Sequence, residues 1–383
     1  MVDNSIHVAR LTWLEINTQG VVDNFLLAKK IVGENVKVFP VVKADAYGLG
    51  ALPLSRTLEA AGAPGLCVGL VEEAEELRLG GVKIPLILFA GLTPGTEQHI
   101  IDLDLTPFIF NLDAAKALNR LAVALNKKVN CYVKVDTGMG RIGFCRKTFQ
   151  AAIKEINKMP GLIISGVVSH LACSDEGENG EVTKSQIKKM HELLAIPELA
   201  KSNQGFNSLA NSGGILYHPQ SHMQWVRPGI MLYGASPAYP SHTSMQDGVV
   251  GVVRWLSRII QVAKVPSGTP LGYGHSYTTT KESKIAQIPV GYGDGYSRRL
   301  SNKGYVLIEG TKAPIVGRVC MDITAVDVTH IPDAAVGSLV TILGSDGKEQ
   351  ISIEMMADWI GAIPYEVICG LGKRLPRYYP INS

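Results

Sequence analysis

The chain has no long apolar run. No stretch reaches the ~18 residues of a membrane-spanning helix, and its start, MVDNSIHVARLTWLEIN, lacks the charged beginning and apolar core of an export signal. A cytoplasmic protein is the expectation. The sequence also lacks a basic block and any platform of interleaved aromatics. Its formal charge of +3 is spread along the chain, so neither nucleic acid nor a membrane surface is an expected partner. The six cysteines (Cys67, Cys131, Cys145, Cys173, Cys320, Cys369) form no C-x-x-C pair and have no close, even spacing. That pattern reads as buried free thiols, and no metal site is expected. Internal repeats and low-complexity tracts are absent as well.

What is present reads as a packed globular protein. With 383 residues the chain is long enough for two cores, and 19% charged against 46% hydrophobic residues argues against long disorder. Short apolar runs alternate with stretches of helical period, the mark of a parallel α/β architecture. The strands expected are Val38 to Val42, Gly65 to Gly69, Pro85 to Phe89, Thr106 to Ile109, Val129 to Val135 and Leu162 to Val168, with weaker segments around Ser208 and at Ile230 to Tyr233. Helices are expected at Val71 to Leu79, Asp113 to Leu125, Phe149 to Lys158 and Thr183 to Leu194. A helix at Val21 to Val32 precedes the first strand, giving about eight βα steps, close to the ~250 residues of a TIM barrel. SPAYPSHTSMQDG then reads as a linker. Short alternating segments such as KIAQIPV, YVLIEG and ITAVDV follow, and they predict a β-rich second domain.

The run VFPVVKADAYGLG ends an apolar strand in Lys43. A buried cationic amine is costly unless something pairs or uses it. Lys134, His170, Asn211 with Ser212, and Arg227 also stand at or near strand ends, where barrel active sites are built. A desolvated lysine there can form a Schiff base, either with a substrate, as in aldolases, or with pyridoxal phosphate. The second option needs phosphate donors. SLANSGG offers Ser212, and RPGI offers the amides of Gly229 and Ile230, although each of these glycine turns is equally readable as a simple βα connection.

The stretches VVKADAYG, VKVDTGMGRIGF, SHLA, ANSGG, VRPGIMLYG, GYGHSY, IPVGYGDGYSRR, GRVCMDITAVDV and PYEV run in order from near residue 41 to near residue 367. Together they resemble the alanine racemases, pyridoxal-phosphate enzymes of fold type III. The resemblance implies a TIM (β/α)8 barrel over residues 12–245 and a β-rich domain over 246–383 joined by 1–11. It also implies a homodimer in which the β-rich domain of one subunit completes the site of the other, and D-alanine supply for the cell wall. By resemblance, Lys43 carries pyridoxal 5'-phosphate and takes the α-proton of D-alanine, while Tyr273 takes that of L-alanine from the opposite face. A phenol with the ordinary pKa of ~10 is a poor base, so this role implies helpers, and the family places His170 and Asp322 in or near that network.

The resemblance implies the rest of the pocket too. Arg227 faces the pyridine nitrogen; a guanidinium keeps its proton, so the ring stays unprotonated and side reactions such as transamination are suppressed. Tyr47, Ser212, Gly229, Ile230 and Tyr365 map to phosphate contacts, with Asn211 beside them. Arg141 maps to the cofactor's phenolic oxygen and the substrate carboxylate, and Met321 to a backbone donor for that carboxylate. Lys134 maps to a position carbamylated in many members, and Tyr292 with Tyr365 to a gate that favours alanine. Two residues depart from the pattern: Leu49 and Ser208 stand where histidines are usual, the second of them bonded to the Arg227 position. A racemase of broader specificity is the closest alternative. A decarboxylase of this fold type and a cofactor carrier fit less well, the carrier because it lacks a second domain.

Overall fold

A computed structural model describes residues 10–90, 92–176, 180–200 and 204–380. The chain divides into two units, one of residues 21–250 and the other of residues 1–20 with 251–383. Of the N-terminal segment expected in the β-rich domain, residues 1–9 lie outside the described residues.

In the larger unit, Leu66–Val68, Leu86–Leu88, Leu105–Ile109, Val129–Lys134 and Leu162–Val168 form a parallel sheet in chain order. Lys37–Val38 pairs in parallel with Trp225–Val226. Single parallel bridges join Val41 to Cys67, Val168 to Ser208, and Ser208 to Trp225. Following these links round returns to the starting strand, so the segments at 37–41, 66–68, 86–88, 105–109, 129–134, 162–168, 208 and 225–226 close an eight-membered barrel. Strands here are apolar on both sides because both faces are covered, and Leu66, Cys67 and Val68 are all fully buried. Helices at Val71–Leu79, Leu112–Ala124, Arg146–Ile156 and Glu181–Leu194 follow the strands as the periodicity predicts. Asn111 caps the second of them, its side chain accepting from the N–H groups of Asp113 and Ala114.

Three expectations are corrected. The eighth strand is Trp225–Val226, whereas Ile230–Tyr233 is a short 3-10 turn. Pro228 has no N–H for a ladder, and the apolar turn is buried instead, with Tyr233 donating to the Val41 carbonyl at 2.7 Å. The boundary expected at residue 12 moves to about residue 20, because Thr12–Ile16 pairs antiparallel with Val253–Arg258 and parallel with Arg377–Tyr378. Of the six cysteines only Cys67 and Cys131 are buried, and Cys145 and Cys369 are exposed.

The β-rich unit has a sheet ordered Thr311–Pro314, Tyr305–Ile308, Leu339–Asp346, Val253–Arg258, Thr12–Ile16, Arg377–Tyr378, with Glu349–Ile351 beside Leu339–Asp346. A second sheet joins Gln261–Val265, Ser283–Ile288 and Thr324–Asp327, and a small ribbon pairs Pro270–Leu271 with Tyr277–Thr278. Helices Ile353–Ile360 and Pro364–Cys369 close the chain. Among the described residues no helix is long and apolar enough to cross a membrane.

Candidate active site

Lys43 leaves the first barrel strand directly after the buried pair Val41 and Val42. The next four residues, Ala44, Asp45, Ala46 and Tyr47, all have φ between 50° and 58° and ψ between 35° and 51°. This is a left-handed helical turn built without glycine, which costs roughly 1–2 kcal/mol per residue. Strain of this kind persists only where surrounding bonds enforce it. Here Ala46 N–H donates to the Val42 carbonyl at 2.9 Å, and the Asp45 carboxylate accepts from Ala51 N–H at 2.7 Å. The turn places the Tyr47 hydroxyl against Gly229: a Cβ there would lie 2.4 Å from it. Gly229 is thus required by close approach, not by its φ.

Ser212 reaches the same place from the short helix Ser212–Tyr217, its hydroxyl accepting from Gly229 N–H at 2.9 Å and Met231 N–H at 3.4 Å. Asn211 caps that helix, accepting from Gly214 N–H at 3.0 Å and from the Ser174 hydroxyl at 2.7 Å. Tyr47, Ser212 and Gly229 therefore converge, next to the buried Ile230.

The cations gather at the same end of the barrel. Lys134 is the last residue of its strand and only 5% exposed, and burial together with Arg227 and Arg141 pulls its pKa down to about 7. Its Nζ lies 5.9 Å from the Phe108 ring centre. His170 is held well below its ordinary value by burial and then by Arg227, Lys134, Arg141 and Lys43, so it is neutral. Arg227 is 3% exposed and lies over the rings of Phe89 and Trp225. It donates to the Ser208 hydroxyl at 2.7 Å and to the carbonyls of Ser169 at 2.5 Å and Leu209 at 3.2 Å. These bonds use three of its five N–H groups. Burial lowers its pKa to about 10, so it still holds its proton at neutral pH. Arg141 is exposed, on a loop whose Asp136 carboxylate accepts from the N–H groups of Gly138, Met139 and Gly140. Leu49 is fully buried and faces no solvent.

The β-rich unit holds its own set. Tyr273 is 70% exposed, on a turn where Gly272, Gly274 and His275 have positive φ. A Cβ at Gly274 would lie 3.0 Å from the Arg318 guanidinium. Tyr292 N–H donates to the Cys320 carbonyl at 3.0 Å and Gly293 N–H to the Met321 carbonyl at 2.9 Å. One segment, Arg318 to Asp322, thus braces both tyrosine turns. Asp322 accepts from Arg374 at 2.7 Å, and Arg374 also pairs with the fully buried Asp294, which Arg10 bonds as well. Tyr365 is half-buried on helix Pro364–Cys369.

The family model for the N-terminal domain of alanine racemase matches residues 16–237, and that for its C-terminal domain matches residues 252–379. The chain belongs to the alanine racemase family. It is 39% identical over 372 residues to the alanine racemase of Halothermothrix orenii, covering 97% of each chain. It is 40% identical to alanine racemase 1 of Caldanaerobacter subterraneus subsp. tengcongensis, covering 97% of this chain and 95% of that one. Among solved structures, alanine racemase from Streptomyces lavendulae superposes with TM-score 0.92 at 29% identity, covering 98% of each chain. That of Bartonella henselae, which has covalently bound pyridoxal phosphate, superposes with TM-score 0.86 at 30% identity, covering 97% of this chain and 99% of that one.

Within this alanine racemase fold, several supporting residues escaped the sequence reading. Gln186, 1% exposed, donates to the Thr137 hydroxyl at 3.2 Å and the His170 carbonyl at 3.0 Å, and accepts from Ala172 N–H at 2.8 Å. It ties the loop after one strand to the loop after the next. Asp294 and Arg374 do the same in the β-rich unit. Only Asp136 had a local signal, since Asp before a glycine pair marks an Asx turn. Ser208, which stands where a histidine was expected, supplies the hydroxyl that Arg227 needs. Ser208→Ala is expected to lower the unfolding free energy by about 1–3 kcal/mol, because it strips a partner from a buried cation. Urea titration with an unchanged midpoint would mean that water fills the gap.

Proposed function

We propose that this chain interconverts L- and D-alanine with pyridoxal 5'-phosphate held on Lys43. The observation that carries the reading is the convergence, at the C-terminal end of one barrel, of Lys43, Lys134, Arg141 and Arg227 on a neutral His170, with the hydroxyls of Tyr47 and Ser212 against Gly229. Such a group fits an anionic, phosphorylated cofactor. When bound, pyridoxal phosphate supplies the electron sink that makes the α-proton of an amino acid removable.

The chain's own residues do the rest. Tyr47, Ser212, the amides of Gly229 and Ile230, and Tyr365 would hold the phosphate, with Asn211 fixing the loop that carries Ser212. Arg227, locked by Ser208, Ser169 and Leu209, would present protonated N–H groups to the pyridine nitrogen and so keep it without a proton. Arg141 and the Met321 backbone orient the substrate carboxylate. Lys43 and Tyr273 would hold or accept the α-proton from opposite sides. His170 and Asp322 support Tyr273, and Tyr292 with Tyr365 narrows the approach to alanine-sized side chains. Tyr273, Met321 and Tyr292 are 70%, 52% and 44% exposed in the single chain. That exposure supports a homodimer in which each β-rich domain serves the partner's barrel. Supply of D-alanine for the cell wall, in the cytoplasm, is the physiological role this reading implies.

The test is circular dichroism of L- and of D-alanine over time with purified protein, beside absorbance before and after borohydride. Decay of both signals to zero is the expected result. Trapped cofactor without loss of optical activity from alanine, but with loss from serine, would overturn the substrate assignment.

Lys134 enters this reading as a carbamate. At a pKa of about 7 a large fraction of its amine is neutral at neutral pH. The neutral amine adds to carbon dioxide and releases one proton, and the anion formed pairs with Arg141 instead of repelling it. Because protonated lysine cannot react, occupancy should fall as pH drops below about 7. Labelled bicarbonate should give a carbamate carbon signal by NMR that Lys134→Ala lacks. Absence of that signal from the parent protein at pH 8 would refute the carbamate.

A further inference from the structure

We propose that Glu73 is a positioning residue for Lys43: its carboxylate fastens the left-handed turn that aims the lysine. The inference rests on Lys43 being the cofactor lysine, as read above. Glu73 lies in the first turn of helix Val71–Leu79, on the neighbouring βα unit. One carboxylate oxygen accepts from Ala44 N–H at 2.6 Å, the residue directly after Lys43. The other accepts from Gly69 N–H at 2.6 Å and Leu70 N–H at 3.2 Å. The Lys43 stem crosses Gly69: a Cβ placed there would meet the Glu73 carboxylate at 3.2 Å, Lys43 Cβ at 3.4 Å and Lys43 Cδ at 3.7 Å. One side chain thus holds the loop beneath the lysine and the first residue of its strained turn.

The arrangement needs two acceptors. A charged carboxylate bonds both sets of N–H groups, and such charge-assisted bonds are short and strong. Glutamine has the same shape but one acceptor, so its amide must turn N–H toward either Ala44 or Gly69 and Leu70. The far end of the turn is secured separately by Asp45, through Ala51. Glu73 therefore controls the end nearest Lys43, where backbone with φ of 52° at Ala44 has no glycine to relieve it.

The experiment compares Glu73→Gln, the double variant Glu73→Gln/Ala44→Gly, and the parent protein, each stripped of cofactor. Hydrogen exchange of the peptide spanning 43–50 should speed up about tenfold in Glu73→Gln, the effect of losing one charge-assisted bond, while the helix Val71–Leu79 stays protected. Pyridoxal phosphate, added to each, should form the bond that borohydride then reduces and traps about tenfold more slowly in Glu73→Gln, and the glycine should restore much of that rate by removing the penalty at Ala44. Loss of protection in the helix as well, or no rescue by glycine, would reduce Glu73 to a structural cap and overturn the proposal. So would unchanged exchange at 43–50. If even the parent protein forms no bond at Lys43, the cofactor reading fails, and exchange still decides whether Glu73 holds the turn.

Discussion

Lys43→Ala is expected to give a folded chain that racemises alanine from neither side. The lysine contributes little to the core: it is half-buried, while Val41 and Val42 beneath it are 4% and 0% exposed and stay in place. Thermal unfolding should therefore change little. On the function proposed above, what would be lost is both the covalent anchor for the cofactor and one of the two proton-transferring groups. A single general base contributes about 10²–10⁴-fold, so losing both roles should reduce the rate by more than that. Circular dichroism of each enantiomer measures it, together with absorbance after borohydride. Racemisation within tenfold of the parent rate would place the cofactor on another residue.

Tyr273→Phe is expected to separate proton removal from racemisation. The ring is kept and only an oxygen goes, on a turn braced by Arg318 and Gly274, so the fold should be unaffected. Because the equilibrium constant between enantiomers is one, loss of the second base must slow both directions equally, by about 10²–10⁴-fold. The asymmetry shows in isotope exchange instead. In heavy water Lys43 should still exchange the α-proton of D-alanine, whereas that of L-alanine should persist. Exchange retained equally in both enantiomers would remove Tyr273 from its role.

Much of this was legible in the chain. Six barrel strands and four helices follow from apolar runs and period, since burial on both faces leaves an unambiguous mark. Lys43 stood out because charge at the end of such a run is costly, whereas the role of Arg227 came from the resemblance. The eighth strand was missed because it pairs over only Trp225 and Val226, too short for a pattern. Glu73, Gln186 and Asp294 were missed for another reason. Each has a partner many residues away, such as Ala44 for Glu73, Thr137 for Gln186 and Arg374 for Asp294, and local bonds such as those of Glu73 to Gly69 and Leu70 are made by many acids in the first turn of a helix. Tyr273 had no local mark at all, and only resemblance named it.

The strand Thr12–Ile16 lies inside a sheet whose other members come from the far end of the chain. On the ribosome its partner Val253–Arg258 is made some 240 residues later. At about 5–20 residues per second, that is a delay of roughly 10–50 s. During that interval every barrel segment has been synthesised and the ring can close, while Thr12–Ile16, whose Leu14 and Ile16 are fully buried in the folded chain, has neither edge paired. A chaperone that shields such edges should therefore engage the nascent chain at Thr12–Ile16 before Val253–Arg258 exists.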